Sequence, residues 1–476
     1  MPSLSETPLA EIDPAEAWEP WAPGPDDPWG PKWAGHLCRR AAFGATRAEL
    51  LGAIANGPEA TIDGLLAGGE GQAEFDQLMD ALAPDVPLNE GFPQQDPDPG
   101  GLQGWWLYRM TYSLHPLRER MTLFWHDHFA TSIAKVRQPA AMLAQNHTIR
   151  AHALGKFRPL LLEMARDPAM LIWLDSNSNV RGRPNENFAR EVMELFTLGV
   201  GHYTEKDVRE AARAFTGWHT DGKAFTLARS QHDDGPKALL GQSGKWDGAD
   251  VVRILLEQPS AALFLTRKLY RAFIGEAESP PDRLLEPLAR RLRESDYDVA
   301  DLMGTMLRSR LLFSGHAFRQ RVKSPVEYVV GLLRAVEAKV QGEAAALPLP
   351  GLMDGLGQAL FAPPNVKGWP GGEAWLNSAT LLARHNLAWR IIQGARGPVG
   401  IKVNPLALAR KHGVTREPAA LVGFFLDLLL QEQGDGRAAQ RLSEFLSEGE
   451  PEGADLEVRL REAVHAIILM PDYQLA

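Results

Sequence analysis

The sequence predicts a mainly α protein: a large, bundle-like array of helices with long polar loops and at most a short hairpin. Apolar residues recur at helical spacing, with capping residues ahead of the runs and Gly or Pro behind them. The period-two alternation of strands is nearly absent. At 476 residues, 45% of them apolar, the chain can bury a sizeable core.

Residues 1–33 are rich in Pro, Asp, Glu and Trp (Trp18, Trp21, Trp29, Trp33) and read as an extended arm whose tryptophans dock on the body. The helical domain, 34–476, starts near Gly35. Thr46 with Glu49 three residues on is a capping-box signature, and Gly57 is expected to close that helix. A breaker-rich loop runs from Pro84 to Gly101. Helices are expected over Gln103–Leu114, from Pro116 to about Ala130, and over Pro139–Leu154, Phe157–Arg166 and Glu186–Leu198, with Pro116 suited to a first turn. Thr204 and Asp207 cap the next helix, which Gly217 ends. The turn residues after Lys237 suggest a short hairpin or loop. Helices then recur from Val251 through Met470, and the loop at 344–351 could join two subdomains.

Charge and composition narrow the function. A net charge of -10 with both signs interspersed argues against a nucleic-acid binder, which would show a basic face. One cysteine, Cys38, excludes an internal disulfide and a cysteine-rich zinc site. The first residues lack a basic start with an apolar core, and no apolar run reaches the roughly 18 residues of a membrane span. A soluble cytoplasmic protein is expected. Serine-hydrolase, zincin, P-loop and dinucleotide fingerprints are missing, so no nucleotide cofactor is expected.

The stretch DSNSNVRGRPNENFAREVMELFTLGVG, from Asp175 to Gly201, is the densest polar motif. Asp175, Asn177, Asn179 and Glu186 fall at oxygen-ligand positions of a calcium loop. The match is partial, since Val180 stands where Gly belongs and Arg181 and Arg183 add positive charge. The same Asn and Asp side chains also serve to hold turns. On the following helix Glu186, Arg190 and Glu194 share one face as an ion-pair ladder. Two further segments carry ligand-type residues: WHDHFATS, with His126, Asp127 and His128, and SQHDDGPK, with His232, Asp233, Asp234 and Lys237. His128 continues an apolar stripe while His126 lies about 200° away on the helix. His128 is therefore either a core histidine or, meeting Glu191 and Glu194 from a neighbouring helix, part of a metal site between helices.

PPNVKGWPGGEAW, from Pro363, is dense in breakers. Asn365, Lys367, Trp369 and Trp375 there could hold a sugar or an anion, or simply pin a rigid loop.

HLCRRAAFGAT at His36, WHDHFATS at Trp125, PNENFAREVMELFTLGVGHYTEKDV at Pro184, AFTGW at Ala214, HDDGPKALLG at His232 and LFAPPNVKGWPGG at Leu360 together resemble the bacterial domain-of-unknown-function 1800 family, from about residue 33 to the end. The family has no assigned activity. Many relatives look exported, and many are encoded near a sulfatase-like family, which implies a partner protein of that kind and envelope or polysaccharide work. Relatives often carry an aliphatic residue in place of Cys38, which implies that it is no nucleophile.

The expected function is a metal-dependent hydrolase or oxidoreductase. A divalent ion would be held by His128, Glu191 and Glu194, with Asp175 and Glu186 as further metal ligands. His126, His232 and Asp233 would be ligands or acid–base groups, and Arg190 and Lys237 would hold an anionic substrate. The alternative is a non-catalytic glycan- or protein-binding or assembly protein using Asn365, Lys367 and Trp369.

Overall fold

The computed structural model describes residues 4–84, 100–340, 349–394, 401–431 and 436–476. It is mainly α, with 61% of the chain helical. Among the described residues, strands occur as three antiparallel pairs: Trp218–Thr220 with Phe225–Leu227, Lys237–Leu239 with Gln242–Gly244, and Lys339–Val340 with Ile401–Lys402. The second is the hairpin expected after Lys237. The other two lacked a sequence signal because their strands of two or three residues are too short to show alternation.

Most helix starts follow their caps. Thr46 and Glu49 form the capping box that opens Arg47–Ala67, and Thr204 and Asp207 the one that opens Glu205–Ala214. Gly57 closes the first part of that helix, as expected. It takes a left-handed φ of 81°, kinks the chain, and Pro58 starts the next turns, as proline at a first helical position does. The expected helix over Glu186–Leu198 is shorter, Asn187–Glu194.

The N-terminal arm is partly helical. Pro14–Trp18 and the start of Pro31–Ala42 fall within it. Its tryptophans dock as expected: Trp18 Nε1 donates to Leu284 O at 2.6 Å, and Trp21 stacks on Phe313 with centroids 4.6 Å apart. Of the 344–351 loop, 344–348 lie outside the described residues, and the same apolar core takes Leu332 from before it and Met353 from after it.

Two large apolar cores organise the fold. One draws on residues from Leu4 to Ala317, the other on Phe43 to Tyr473. Helix Pro116–His128 lies between them. It gives Leu117, Met121 and Trp125 to the first core and Leu123 to the second. A helix apolar on two sides leaves its polar residues little water, so they must be paired inside. Glu119, fully buried, accepts from Arg150 Nε at 2.7 Å, Arg109 Nε at 2.9 Å and Trp106 Nε1 at 3.1 Å.

Burial pushes the Glu119 carboxyl up, but Arg150 and Arg109 overcome it and hold the group at about 2 against an ordinary 4.5. A carboxyl lowered on folding stabilises fully above its unfolded value, and that contribution fades as pH falls from 4.5 towards 2. Glu119→Gln leaves two buried guanidiniums short of an anion and is expected to cost about 3 kcal/mol in urea unfolding at pH 7. The gap between variant and wild type should narrow below pH 4.5; a gap independent of pH would contradict the assignment.

Candidate functional site

The last turn of helix Pro116–His128 delivers Trp125-His126-Asp127-His128 to the junction of the two cores, and the three polar residues take different surroundings. His126 faces the second core. Its Nε2 accepts the Phe361 N–H at 3.1 Å, and its ring meets Trp106 edge-on at 5.2 Å. Burial lowers it to about 3, so it is a neutral acceptor fixing Phe361.

Asp127 faces an open cleft of about 360 Å³. It accepts the Trp369 N–H at 2.8 Å. Burial raises it to about 6, against the lowering effects of that N–H and of Lys268. His128 is buried and holds Lys268 Nζ at 3.0 Å from its Nδ1. Burial, then the charge of Lys268, keep the imidazole well below its ordinary value and hence neutral. Lys268, on helix Pro259–Phe273, also donates to Leu195 O at 3.4 Å. Burial lowers its amine to about 8, with Asp127 pulling it up and Arg271 pushing it down. The cleft thus presents a carboxyl and an amine each moved towards neutrality, as acid–base sites require.

The Trp/Gly loop forms another wall. Gly368 has a left-handed φ of 81°, and a Cβ there would collide with Asp127 Oδ1 and approach the Asp127 carbonyl to 2.8 Å. Trp369 and Trp375 line the cleft but are 8% and 5% exposed, so the open sugar-stacking face expected of this loop is not presented. Asn365 Oδ1 accepts the Lys367 N–H at 2.8 Å, closing a turn. The Lys367 side chain lies near Glu191. That half-buried carboxyl is raised by burial and by Glu194, with Arg190 and Lys367 opposing.

The expected metal set is not gathered. Asp175 pairs with Lys135 at 2.9 Å, and Glu186 with Arg190 at 3.1 Å. Arg190 turns mainly to Glu205, at 2.8 Å, rather than to any anion in the cleft. Glu194 accepts from Tyr203 Oη at 2.7 Å, and His128 meets Lys268 instead of a glutamate. Among the described residues no three His, Cys, Asp or Glu side chains come together as a metal-binding group. The Asn residues serve the turn: Asn177 bonds both the N–H and C=O of Thr220 at 2.8 and 2.9 Å, and Asn179 bonds Ala212 O at 2.9 Å.

His232, Asp233 and Lys237 form a separate clasp against that loop. His232 Nδ1 lies 2.8 Å from Thr216 O, Asp233 pairs with Arg213 at 2.8 Å, and buried Lys237 donates to the carbonyls of Asp233 and Gly235 at 2.5 and 3.1 Å. Arg181 ties the two pieces together, donating to His232 O at 2.6 Å.

The polar motifs therefore converge in two places. Asp127 from the WHDH segment and Lys367, Trp369 and Trp375 from the Trp/Gly loop line the cleft. The 175–186 loop and 232–237 brace each other elsewhere. Sequence reasoning passed over Asp127 as a site residue and missed Lys268 and the arginines of the cleft, Arg120, Arg271 and Arg321. Lys268 lies in RKLYRAF, where a lysine on an amphipathic helix carries no motif. The uneven angular placement of His126, Asp127 and His128 was the available hint.

A family model described as a protein of unknown function (DUF1800) matches residues 36–475, and the chain belongs to that family. No curated protein matches it, and no solved structure does. Among the described residues no helix is long and apolar enough to cross a membrane.

Gly368→Ala adds both a strained φ and a collision with Asp127, whereas Gly413→Ala adds strain alone, at φ 73° with nothing within 4 Å. Left-handed φ costs a non-glycine residue about 1–2 kcal/mol. Denaturant unfolding is expected to show Gly368→Ala less stable than Gly413→Ala by at least about 1 kcal/mol; equal losses would mean that the contact with Asp127 does not constrain the loop.

Proposed function

We propose that the chain is an enzyme whose acid–base centre is Asp127 and Lys268, acting on a small polar substrate in the cleft at the junction of the two cores. The observation that carries this is the seat of Lys268: its amine rests on a neutral imidazole at 3.0 Å, in the same cleft as a carboxyl raised to about 6. Between pH 6 and 8, Asp127 is mostly ionised and ready to take a proton, and Lys268 is mostly protonated and ready to give one. Hydrolysis, elimination and isomerisation all use such a pair. His128 does not line the cleft; it acts through Lys268, which it holds, and is a positioning residue.

A metal-dependent hydrolase or oxidoreductase is the second reading, and the proximity of half-buried Glu191 to Glu194 favours it. It requires Glu194 to leave Tyr203 and His128 to leave Lys268. Metal analysis of the purified protein beside a Glu191→Ala/Glu194→Ala variant separates the two, because a stoichiometric metal lost in the variant would replace the acid–base reading. In a non-catalytic version, a glycan or a partner of the sulfatase-like kind would occupy the same cleft, held by polar groups such as Lys367 and Arg271 rather than by stacking on the buried tryptophans.

The proposal is tested on Lys268 itself. Acylation by an amine reagent, followed by mass spectrometry across pH, should give Lys268 a midpoint near 8, against the ordinary value of about 10.4 for the lysine in a blocked reference peptide. Asp127→Asn removes a charge that raises the amine, so the Lys268 midpoint should move lower still. A midpoint for Lys268 near that of the reference peptide, or one unmoved by Asp127→Asn, would sink the acid–base reading.

A further inference from the structure

Beside the cleft lies a second chamber of about 550 Å³, and the two share Arg271, Glu276, Arg321, Pro370 and Gly371 as a common wall. Beneath that wall the charge is unbalanced. Arg321, 8% exposed, shares Glu327 with Arg120, and Glu327 also accepts the Ser324 N–H at 2.6 Å. The Nε of Arg321 has no hydrogen-bond partner. Arg40, fully buried below, is driven well under its ordinary value first by burial and then by the charge of Arg321. Glu276, the carboxylate common to both cavities, accepts the Val322 N–H at 3.0 Å. Arg271 is exposed on the wall and forms no ion pair among the described residues. On the shared wall itself two guanidiniums, of Arg271 and Arg321, stand with one carboxylate, of Glu276, while Glu327 behind it is divided between Arg321 and Arg120.

Surplus buried cations are costly unless an anion completes them. A guanidinium fork fits a planar or tetrahedral oxyanion better than it fits water. We propose that this shared wall, centred on Arg271 and Arg321, is a subsite for a tetrahedral oxyanion, so that the substrate of the cleft carries a phosphate- or sulfate-type group. The inference rests on the preceding reading in taking the cleft as the substrate site, and names the class of substrate. The group would seat against the wall while the rest of the molecule extends towards Asp127 and Lys268. Glu276 stands on the same wall and opposes the anion, which fixes the sign of its substitution.

The test is calorimetric titration at pH 7 and constant ionic strength with inorganic phosphate, sulfate and acetate, chloride being the background ion. Phosphate and sulfate are expected to bind saturably and acetate more weakly. Whichever of phosphate and sulfate binds more tightly identifies the group. Arg271→Gln, an exposed substitution that leaves the core intact, should weaken binding about tenfold, the loss of one charge-assisted pair. Glu276→Gln should tighten it, and Asp127→Asn should not weaken it. Absence of saturable phosphate and sulfate binding, or affinities unchanged by Arg271→Gln, overturns the oxyanion subsite. A tighter site for acetate than for either also overturns it. These outcomes are independent of the Lys268 midpoint: oxyanion binding with an ordinary Lys268 keeps the subsite and removes the acid–base reading, and the converse result does the reverse.

Discussion

Helix Pro116–His128 is shared by two apolar cores, and the arrangement of the rest follows from having to bury it. The charged residues of its buried middle, Glu119 and Arg120, have no solvent face to retreat to, so each is matched from another segment. Glu119 takes Arg109 and Arg150, and Arg120 takes Glu327 across to the second core. Arg120 also sits over the rings of Phe43 and Phe273, at 5.5 and 5.6 Å, where cation–π attraction offsets part of its desolvation. Removing the charge partners would leave uncompensated buried ions, which cost far more than the pairs contribute over apolar substitutes. These pairs thus fix which helices meet more than they add to stability.

The same burial sets the chemistry at the end of the helix. Three consecutive residues leave the last turn in different directions, and each meets a different dielectric. His126 and His128 lose their charge to the cores, one as the acceptor for Phe361 and the other as the acceptor for Lys268. Asp127, between them in sequence, faces the cleft and keeps enough contact with water, with the Trp369 N–H and with Lys268 to ionise near neutrality. Both a raised carboxyl and a lowered amine come from one cause, partial removal from water, which moves an acid up and a base down.

Burial also explains why the richest polar motif is not the cleft. The loop from Asp175 to Glu186 spends its Asn side chains on backbone groups of 212 and 220, because an irregular segment packed on helices must satisfy its own amides and carbonyls and those beside it. His232, Asp233 and Lys237 do the same work from the other side. Polar density in a sequence marks places where backbone needs partners as readily as places where a ligand does.

By itself the sequence determined the class, most helix positions and their caps, the docking of the N-terminal tryptophans and the family, because these depend on local spacing and on motifs contiguous in the chain. It also marked 126–128 and the Trp/Gly loop as segments dense in ligand-type and chain-breaking residues. Only the tertiary structure decided that Asp127, rather than its flanking histidines, faces the cleft, that Lys268 sits on His128 140 residues away, and that Arg271 and Arg321 share a wall with them. It likewise sent Arg190 on to Glu205 and Glu194 to Tyr203. The orientation of a helix's last turn is set by the packing on both its sides, and which distant cation meets which carboxylate is set by how the helices cross. Neither is written in the spacing of residues along one strand of chain.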